Sequence, residues 1–238
     1  MEIQIIEKAR VAYTAHTFPW HVHPNHHTLS LVTEGMAQLD FPGQMIQAAP
    51  GQLIYIPAGQ AHRTVVSHSF AYQLIRFRLV GSFTTGYWWS KRKEEIELFS
   101  AWFDAYQPAN AIVDAKPAWT SQLFHWGAAA KQAEDQAVQR CLAFMHRHYA
   151  QPLTLQDLSK AALRSKSHLL RTFKQQIGVS PLRYLLGLKV DRAKELILSK
   201  ESLSEVAFAT GFYDQSHFNR NFKRYTGLKP GQYRELVE

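Results

Sequence analysis

An eighteen-residue pattern occurs twice in the last third of the chain. Residues 167–184 read SHLLRTFKQQIGVSPLRY, and residues 216–233 read SHFNRNFKRYTGLKPGQY. At an offset of 49 (216 − 167), the copies share Ser, His, Arg, Phe, Lys, Gly, Pro and Tyr at eight positions. A repeat of this period usually means that one supersecondary unit is used twice. Two copies are too few for a solenoid, so the pattern predicts a unit that works as a pair.

Each copy predicts a capped helix that follows a short helix and a turn. Ser165 and Asp214 are good N-cap residues. Each run then ends at a glycine, Gly178 or Gly227, where a helix C-terminus favours one. Before the second copy Gly211 supplies the tight turn. A short helix, a turn and a capped helix form a helix-turn-helix, whose second helix places its N-terminal residues in the DNA major groove.

The predicted second helices are amphipathic. Their apolar stripes are Leu169, Phe173 and Ile177 in one copy and Phe218, Phe222 and Tyr225 in the other. The outward residues are the candidate DNA contacts: Ser167, Leu170, Arg171, Lys174, Gln215, Ser216, Asn219, Arg220 and Lys223. Arg, Gln, Asn and Ser can read base edges, whereas Lys suits phosphate. The alternative is a pair of helical hairpins with solvated polar faces, but two copies with Arg and Lys in register favour DNA binding.

The stretch from Ala207 to Arg234, AFATGFYDQSHFNRNFKRYTGLKPGQYR, resembles the signature of the AraC/XylS family of bacterial transcription regulators. The resemblance covers roughly residues 138–238. It implies two helix-turn-helix units that enter successive major grooves and are joined by a long helix, here Pro181 to Ser199. Carried over by position, it implies base reading by Ser167, Leu170 and Arg171 in the first unit, and by Gln215, Ser216, Asn219 and Arg220 in the second.

The first unit departs from the family pattern at its turn. The family has glycine followed by an apolar residue, whereas this chain has Leu163-Arg164. A bulky residue at positive φ costs about 1–3 kcal/mol. We therefore expect either a rebuilt turn or a less rigid first unit. Leu170 is also unusual at a reading position, because it can touch a thymine methyl group but cannot hydrogen-bond.

Basic charge is concentrated in the region that carries the repeat. Residues 140–238 hold 17 Lys and Arg and 8 Asp and Glu, a balance of +9. Residues 1–139 hold the other 10 Lys and Arg (27 − 17) and 11 Asp and Glu (19 − 8), a balance of −1. This asymmetry predicts a nucleic-acid partner for that region alone. No segment reaches the ~20 apolar residues of a membrane span, and the start lacks signal-peptide features. The single cysteine, Cys141, is expected to be buried, and a cytoplasmic protein follows.

The N-terminal region has a different sequence pattern. Short apolar runs broken by Gly and Pro extend from Gln4 to about Val80 and predict a small barrel or jelly roll. Glu34, beside Gly35, is interpreted as a turn residue. The expected fold class is therefore α+β with several domains: a cupin-like effector-sensing domain over 1–82, a helical connector over 83–137, and a DNA-binding domain over 138–238.

Two histidine-rich patches resemble the motifs of the cupin family. One is His21-Val22-His23 with His26-His27 and Gly35, and the other is Gly51-x5-Pro57-x-Gly59-x2-His62. Residues i and i+2 of a strand share a face, so His21 and His23 can point together into a barrel. The resemblance implies metal ligation by His21, His23 and His62, with His27 nearest the position of the family's carboxylate. Four imidazoles would suit Zn, Ni, Cu or Fe.

Two other interpretations of these histidines stay open. Many AraC/XylS regulators carry a similar pocket and bind an organic effector without metal, and the histidines could instead hydrogen-bond within a polar barrel mouth. The function predicted is a sequence-specific DNA-binding transcription regulator that senses a small molecule or a divalent transition metal and requires no cofactor. The alternative is a metal-dependent cupin enzyme fused to a DNA-binding domain. The nonenzymatic regulator is favoured, because no nucleophile, phosphate loop or carboxylate pair is evident.

The connector carries two aromatic patches. Ile96, Phe99, Phe103 and Tyr106 form a helical stripe, and Trp119, Leu123, Phe124 and Trp126 follow Pro117. Packing within the chain is the favoured interpretation for most of them, and a homodimer interface is the alternative. The partners expected are double-stranded DNA, an effector, a second copy of the chain and RNA polymerase, with no membrane.

Overall fold

The computed structural model describes residues 2–80, 87–105, 112–113, 135–199 and 201–237. They divide into two units. The sheet unit takes the described residues within 1–17 and 25–130, and the helical unit takes those within 18–24 and 131–236. This division places the short segment 18–24 with the helices. The predicted domain bounds of 1–82, 83–137 and 138–238 stay a prediction.

Within the described residues, eight strands form one antiparallel sheet with the order β7-β5-β3-β6-β1-β8, where β2 pairs with β6 and β4 with β3. The strands are β1 Glu2–Tyr13, β2 His16–Thr17, β3 His27–Phe41, β4 Gln44–Ala48, β5 Leu53–Ile56, β6 Arg63–Val80, β7 Trp88–Ser90 and β8 Ile112–Val113. The β-rich N-terminal region of an α+β chain, predicted from the short apolar runs, is confirmed.

Strand β3 continues through the position where a turn was predicted. Its pairing with β6 shifts register between Val32 and Glu34 and again between Gly35 and Ala37. Gly35 has a φ of 70°, and a Cβ atom there would lie 1.9 Å from the carbonyl oxygen of Ser69. The interpretation of Glu34 as a turn residue is therefore wrong, because the glycine marks a bulge inside a strand.

One face of the sheet is covered by helix α1, Lys93–Ala105. Phe99 and Phe103 are buried in a cluster with strand residues that include Leu29, Tyr55 and Phe77. Ile96 packs against the same cluster. Packing within the chain is thus confirmed for this part of the aromatic stripe. The other aromatic candidates, Tyr106, Trp119, Leu123, Phe124 and Trp126, lie outside the described residues.

The helical unit contains α2 Gln136–His148, α3 Leu155–Ala162, α4 Lys166–Ile177, α5 Pro181–Leu198, α6 Leu203–Ala209, α7 Gln215–Thr226 and α8 Pro230–Val237. Side chains at five N-cap positions accept backbone N–H groups: Asp135, Thr154, Ser165, Ser202 and Asp214. Thr154 and Ser202 also form capping boxes. Because each cap satisfies donors that the first turn leaves open, these short helices begin at defined residues. The predicted caps Ser165 and Asp214 are confirmed.

The segment 18–24 packs against α5. Val22 is buried, and its carbonyl oxygen would lie 2.9 Å from a Cβ atom placed on Gly187. A side chain at Gly187 would therefore push the segment away from the helix. The buried carboxylate of Asp191, one turn further along α5, lies 3.4 Å from Nδ1 of His23 and 3.5 Å from Nζ of Lys194.

Cys141 is buried in α2, and burial raises the pKa of its thiol to about 12. A thiol with so high a pKa stays protonated at neutral pH, which confirms a packing role. None of the described helices combines the length and the apolar character that crossing a bilayer requires.

The turns of the two helix-turn-helix units have the same hydrogen bonds. In the first turn (Leu163 to Ser165), Leu163 N–H donates to Lys160 O and Arg164 N–H donates to Ser159 O. In the second turn (Thr210 to Tyr213), Gly211 N–H donates to Phe208 O and Phe212 N–H donates to Ala207 O. Leu163 has a φ of 55° and Gly211 a φ of 71°. The expected rebuilt turn is therefore wrong, because leucine adopts the left-handed conformation itself.

We predict that Leu163→Gly raises the free energy of unfolding by about 1 kcal/mol, because a left-handed residue other than glycine costs about 1–2 kcal/mol. The side chain is 69% exposed, so little packing is lost. Gly211→Leu is the matched control and should destabilise, because a Cβ atom there would lie 2.2 Å from Ala150 O. Urea unfolding followed by circular dichroism measures both. A destabilised Leu163→Gly protein would contradict the strain argument.

Candidate nucleic-acid interface and ligand-binding face

The residues shared by the two repeat copies build the same local structure twice. Phe173 in α4 and Phe222 in α7 are fully buried. Phe173 packs edge to face on Tyr184, with ring centroids 5.7 Å apart, and Phe222 packs on Tyr233 in the same way at 5.4 Å. Each tyrosine is the last residue of its copy of the repeat and lies in the first turn of the next helix. The shared Phe and Tyr therefore form one aromatic contact in each unit.

The shared Gly and Pro set the spacing of that contact. Gly178 and Gly227 cap α4 and α7 with φ values of 84° and 78°. Their N–H groups donate to the carbonyl oxygens of Lys174 and Lys223. Three residues later a proline is the first residue of the next helix. The predicted glycine caps and the long helix that begins at Pro181 are thereby confirmed.

The candidate DNA contacts lie on the sides of α4 and α7 away from these buried rings. Eight of them are exposed: Ser167, Leu170, Arg171, Lys174, Gln215, Ser216, Arg220 and Lys223. Asn219 is half-buried. The two buried stripes, predicted from the sequence, are also present, although Ile177 is only half-buried. The structure thus brings each predicted set together on one helix face, while the contacts with DNA stay a prediction.

The first turn carries cations that the interpretation by family position did not include. Lys160, Arg164 and Lys166 are all exposed there. A comparison of the two turns in the sequence could have found these cations, because the positions equivalent to Lys160 and Arg164 in the second unit are aromatic.

His21 and His23 do not lie on a regular strand. Strand β2 ends at Thr17 and β3 begins at His27, so the predicted strand face over 21–23 is wrong. The two rings are nevertheless neighbours, with centroids 4.9 Å apart in an edge-to-face arrangement. Nδ1 of His21 lies 2.7 Å from Pro19 O, and the ring also contacts Tyr225.

His27 and His62 belong to the sheet unit. Nδ1 of His27 accepts from the backbone N–H of Ala58 at 3.3 Å and lies 2.7 Å from the hydroxyl oxygen of Tyr55. Its ring stacks on Tyr55 and Phe77, and burial lowers its pKa to about 4. These are the contacts of a neutral core histidine. His62 is buried, with Nδ1 3.0 Å from Gln60 O.

The sheet face opposite α1 carries a row of polar groups. Glu7 on β1 lies opposite Arg76 on β6, and Arg76 lies opposite Thr28 on β3. Glu7 and Arg76 form an ion pair, and the carboxylate is buried. On the same face, Tyr13 and Tyr72 pack against the cluster of Ala9, Val11 and Leu74. Burial raises the pKa of both phenols, so each remains a hydrogen-bond donor at neutral pH.

A repeated helix-turn-helix with exposed polar faces, in the same chain as a separate β-sheet unit, defines a transcription regulator of the two-domain type. Residues 5–173 match the AraC-like ligand-binding domain, and residues 158–236 match a helix-turn-helix domain. The first match covers more than half of the chain. The chain therefore belongs to the family of regulators built on the AraC-like ligand-binding domain, as the motif resemblance predicted.

Relatives agree with this assignment. The chain is 25% identical over 225 residues to the HTH-type transcriptional regulator YobQ of Bacillus subtilis (strain 168), covering 86% of this chain and 84% of that protein. A second regulator of the same organism, YbfI, is 43% identical over 74 residues, which are 31% of this chain and 27% of that one. These relatives are regulators, which confirms the regulator over the cupin-enzyme alternative.

The fold matches ToxT from Vibrio cholerae with a TM-score of 0.69 at 12% identity, over 100% of this chain and 99% of that chain. Another ToxT structure, described as bound to an unsaturated fatty acid, matches with a TM-score of 0.68 at 10% identity, over 100% of this chain and 96% of that chain. At such identities the likeness shows the fold alone.

We predict that Arg220 contacts a base and Lys223 a phosphate. Arg220→Ala should cost about 1–3 kcal/mol of binding free energy on the preferred duplex and relax the choice at one base pair. Lys223→Ala should weaken binding to all duplexes alike and lower the salt slope by about one. Titrations of selected and scrambled duplexes at several KCl concentrations measure both effects. An equal loss on both duplexes for Arg220→Ala would contradict base reading.

Proposed function

We propose that this protein regulates transcription by binding one bipartite DNA site with both helix-turn-helix units, under the control of a small organic effector held by its sheet unit. The observation that carries the proposal is the duplicated reading face. Arg171 and Arg220 occupy the same repeat position, and both are exposed on helices whose opposite faces are buried. A single amphipathic hairpin would not explain the same cation at the same place twice.

Two reading helices on one chain require two major-groove segments on one face of the duplex. Successive grooves on one face are about 34 Å apart, or about 10 base pairs. The helices α4 and α7 are linked through α5, which is 18 residues long. A helix is stiff, so the spacing of the half-sites is expected to be strict.

We predict that inserting five base pairs between the half-sites abolishes high-affinity binding, because the insertion turns one half-site to the opposite face of the duplex. A duplex selected from a random pool provides the site, and fluorescence anisotropy measures the Kd. The control insertion of ten base pairs restores the face but lengthens the spacing, and it tests how strict the spacing is. Unchanged affinity with five inserted base pairs would show that only one unit reads DNA.

The sheet unit supports an organic effector with polar groups. The Glu7–Arg76 ion pair and the two phenols lie on the sheet face opposite α1, beside the apolar cluster of Ala9, Val11 and Leu74. Next to the pair, the hydroxyl of Thr28 is buried and has no hydrogen-bond partner within the part of the chain that the structure describes. An arginine that pairs with carboxylates, a carboxylate and hydroxyl groups suit a small molecule with carboxyl or hydroxyl substituents.

A divalent transition metal is the second candidate effector, and the orientation of three imidazoles favours it. Nδ1 of His21 and of His62 each face a backbone carbonyl oxygen, and Nδ1 of His23 faces the carboxylate of Asp191. These oxygens can only accept, so each imidazole places a proton on Nδ1, and in the neutral ring Nε2 is then the atom that can bind a metal. Metal-binding histidines have the same tautomer and the same type of outer hydrogen bond. His27, the fourth predicted ligand, accepts at Nδ1 instead.

We predict opposite responses of two double variants in one thermal-unfolding screen. The panel comprises small organic acids and polyols in one arm, and Zn, Ni, Co and Cu salts in the other. An effector that binds the folded state raises the melting temperature by mass action. For an organic effector, Tyr13→Phe with Tyr72→Phe should reduce that rise, because two hydroxyl groups are lost at nearly constant volume. His21→Ala with His23→Ala should leave it intact.

For a metal effector we expect the reverse result: His21→Ala with His23→Ala abolishes the metal-induced rise in melting temperature, and Tyr13→Phe with Tyr72→Phe retains it. His62→Ala tests the third ligand separately. His68, which is exposed, gives the control variant His68→Ala, which should respond like the unmodified protein in both arms. A flat response to the four metals removes the metal candidate, and a flat response to the organic panel with a retained metal response removes the organic one.

We further propose that the protein works in the cytoplasm as a homodimer and contacts RNA polymerase at its promoter. Phe208 and Tyr213, beside the second reading helix, are 85% and 93% exposed, which supports a protein contact at that place. Aromatic residues of the connector, among them Trp119 and Trp126, support a dimer contact by their composition.

A further inference from the structure

A shallow cleft of about 770 Å³, wide open to solvent, lies beside the first turn. It is formed where the end of α3 meets the start of α4. The residues that line it are Gln156, Ser159, Lys160, Leu163, Arg164, Ser165 and Lys166. Three of the seven are cations, and none is acidic.

The three cations are available to a ligand. Lys160, Arg164 and Lys166 are exposed. Arg164 donates from Nη1 to its neighbour's carbonyl oxygen, Leu163 O, at 3.1 Å, a surface contact that a stronger acceptor can replace. The acidic residue of α3, Asp157, is held in the capping box with Thr154, which lowers the pKa of its carboxyl group, and Lys160 adds a weaker effect in the same direction.

The equivalent place in the second unit is aromatic and not cationic. The matching turn hydrogen bonds align Leu163 with Gly211, an offset of 48 (211 − 163), so Phe208 and Phe212 stand where the first unit has Lys160 and Arg164. The second turn then has one more residue, Tyr213, because the caps Ser165 and Asp214 differ by 49. From there, Gln215 stands where the first unit has Lys166.

The reading helices differ less than the turns do. Each exposes three cations, Lys166, Arg171 and Lys174 in α4 and Arg220, Lys223 and Arg224 in α7, and the first also presents Leu170, which cannot hydrogen-bond to a base. The second begins with the amides and hydroxyl of Gln215, Ser216 and Asn219, which suit base edges.

We propose that the cleft beside the first turn binds the phosphate backbone of DNA, in addition to the base reading proposed for both helices. This contact supplies salt-dependent, sequence-independent affinity through the first unit, whose turn is cationic where the second turn is aromatic. The cleft is continuous with the predicted DNA face, because Lys166 is the first residue of the reading helix α4. Flexible cations around a shallow, open cleft match a polyanion, and the positive end of α4 adds to the attraction. This proposal rests on the proposed DNA-binding function.

The test is the salt dependence of DNA binding by the full chain. Lys160→Gln with Arg164→Gln removes two charges and keeps polar, exposed side chains. Phe208→Gln is the matched control, because Phe208 occupies the position of Lys160 in the second unit. Kd values are measured for the selected duplex and for a scrambled duplex of equal length. The KCl concentration is varied from about 50 to about 300 mM, which includes the range where phosphate contacts change affinity strongly.

For the double variant we expect a salt slope smaller by about two, since each phosphate contact contributes about 0.9. Affinity should fall by roughly tenfold or more at low salt on both duplexes, with the ratio between them unchanged. Phe208→Gln should leave the slope as it is. Melting temperatures check the fold, and the single variant Lys166→Gln, with an expected slope change of about one, serves if the double variant is unstable.

Two outcomes would overturn the proposal. A loss confined to the selected duplex, with an unchanged slope, would show that the cleft reads bases. No change on either duplex would show that the cleft faces another partner, such as an acidic protein surface. Failure of the unmodified protein to bind any duplex in a salt-dependent way would instead overturn the proposed function itself, so the two failures are distinguishable.

Discussion

Each reading helix depends on the same type of aromatic contact, in which its buried phenylalanine packs edge to face on the tyrosine of the following helix. Phe173 with Tyr184, and Phe222 with Tyr233, anchor one side of each helix in the core. Successive residues of a helix are 100° apart, so a residue two positions before the phenylalanine points to the far side. That residue is Arg171 in one unit and Arg220 in the other, and both are exposed. The core contact thereby sets which side chains can meet DNA.

The two units share this contact but differ at the turn, and packing explains the difference. Gly211 lies against the backbone of Ala150, where a Cβ atom would be 2.2 Å from the carbonyl oxygen, so glycine is required by space as well as by its φ. Leu163 has the same left-handed backbone but faces solvent. There only the conformational cost of about 1–2 kcal/mol opposes a side chain. The first turn is therefore open to substitution, and its neighbours are cations.

Much of the helical unit could be predicted from the sequence, because its helices are set by local contacts. N-caps, glycine C-caps and the 3.6-residue period act within a few residues, and Ser165, Asp214, Gly178 and Gly227 all take the predicted roles. The sheet unit was less predictable. A glycine such as Gly35 signals both a turn and a bulge, and the choice depends on pairing with Phe70, a residue distant along the chain.

The sequence by itself determined the duplicated helix-turn-helix, its exposed polar faces and its concentration of positive charge, since period, caps and composition are all local properties. Only the tertiary structure decided three other features. It placed segment 18–24 on α5 at Gly187, gave Leu163 its left-handed conformation, and set Glu7, Arg76 and Thr28 in one row of the sheet. Each depends on residues that are far apart in the chain or on a strain that the surrounding fold must hold, and no local pattern encodes either.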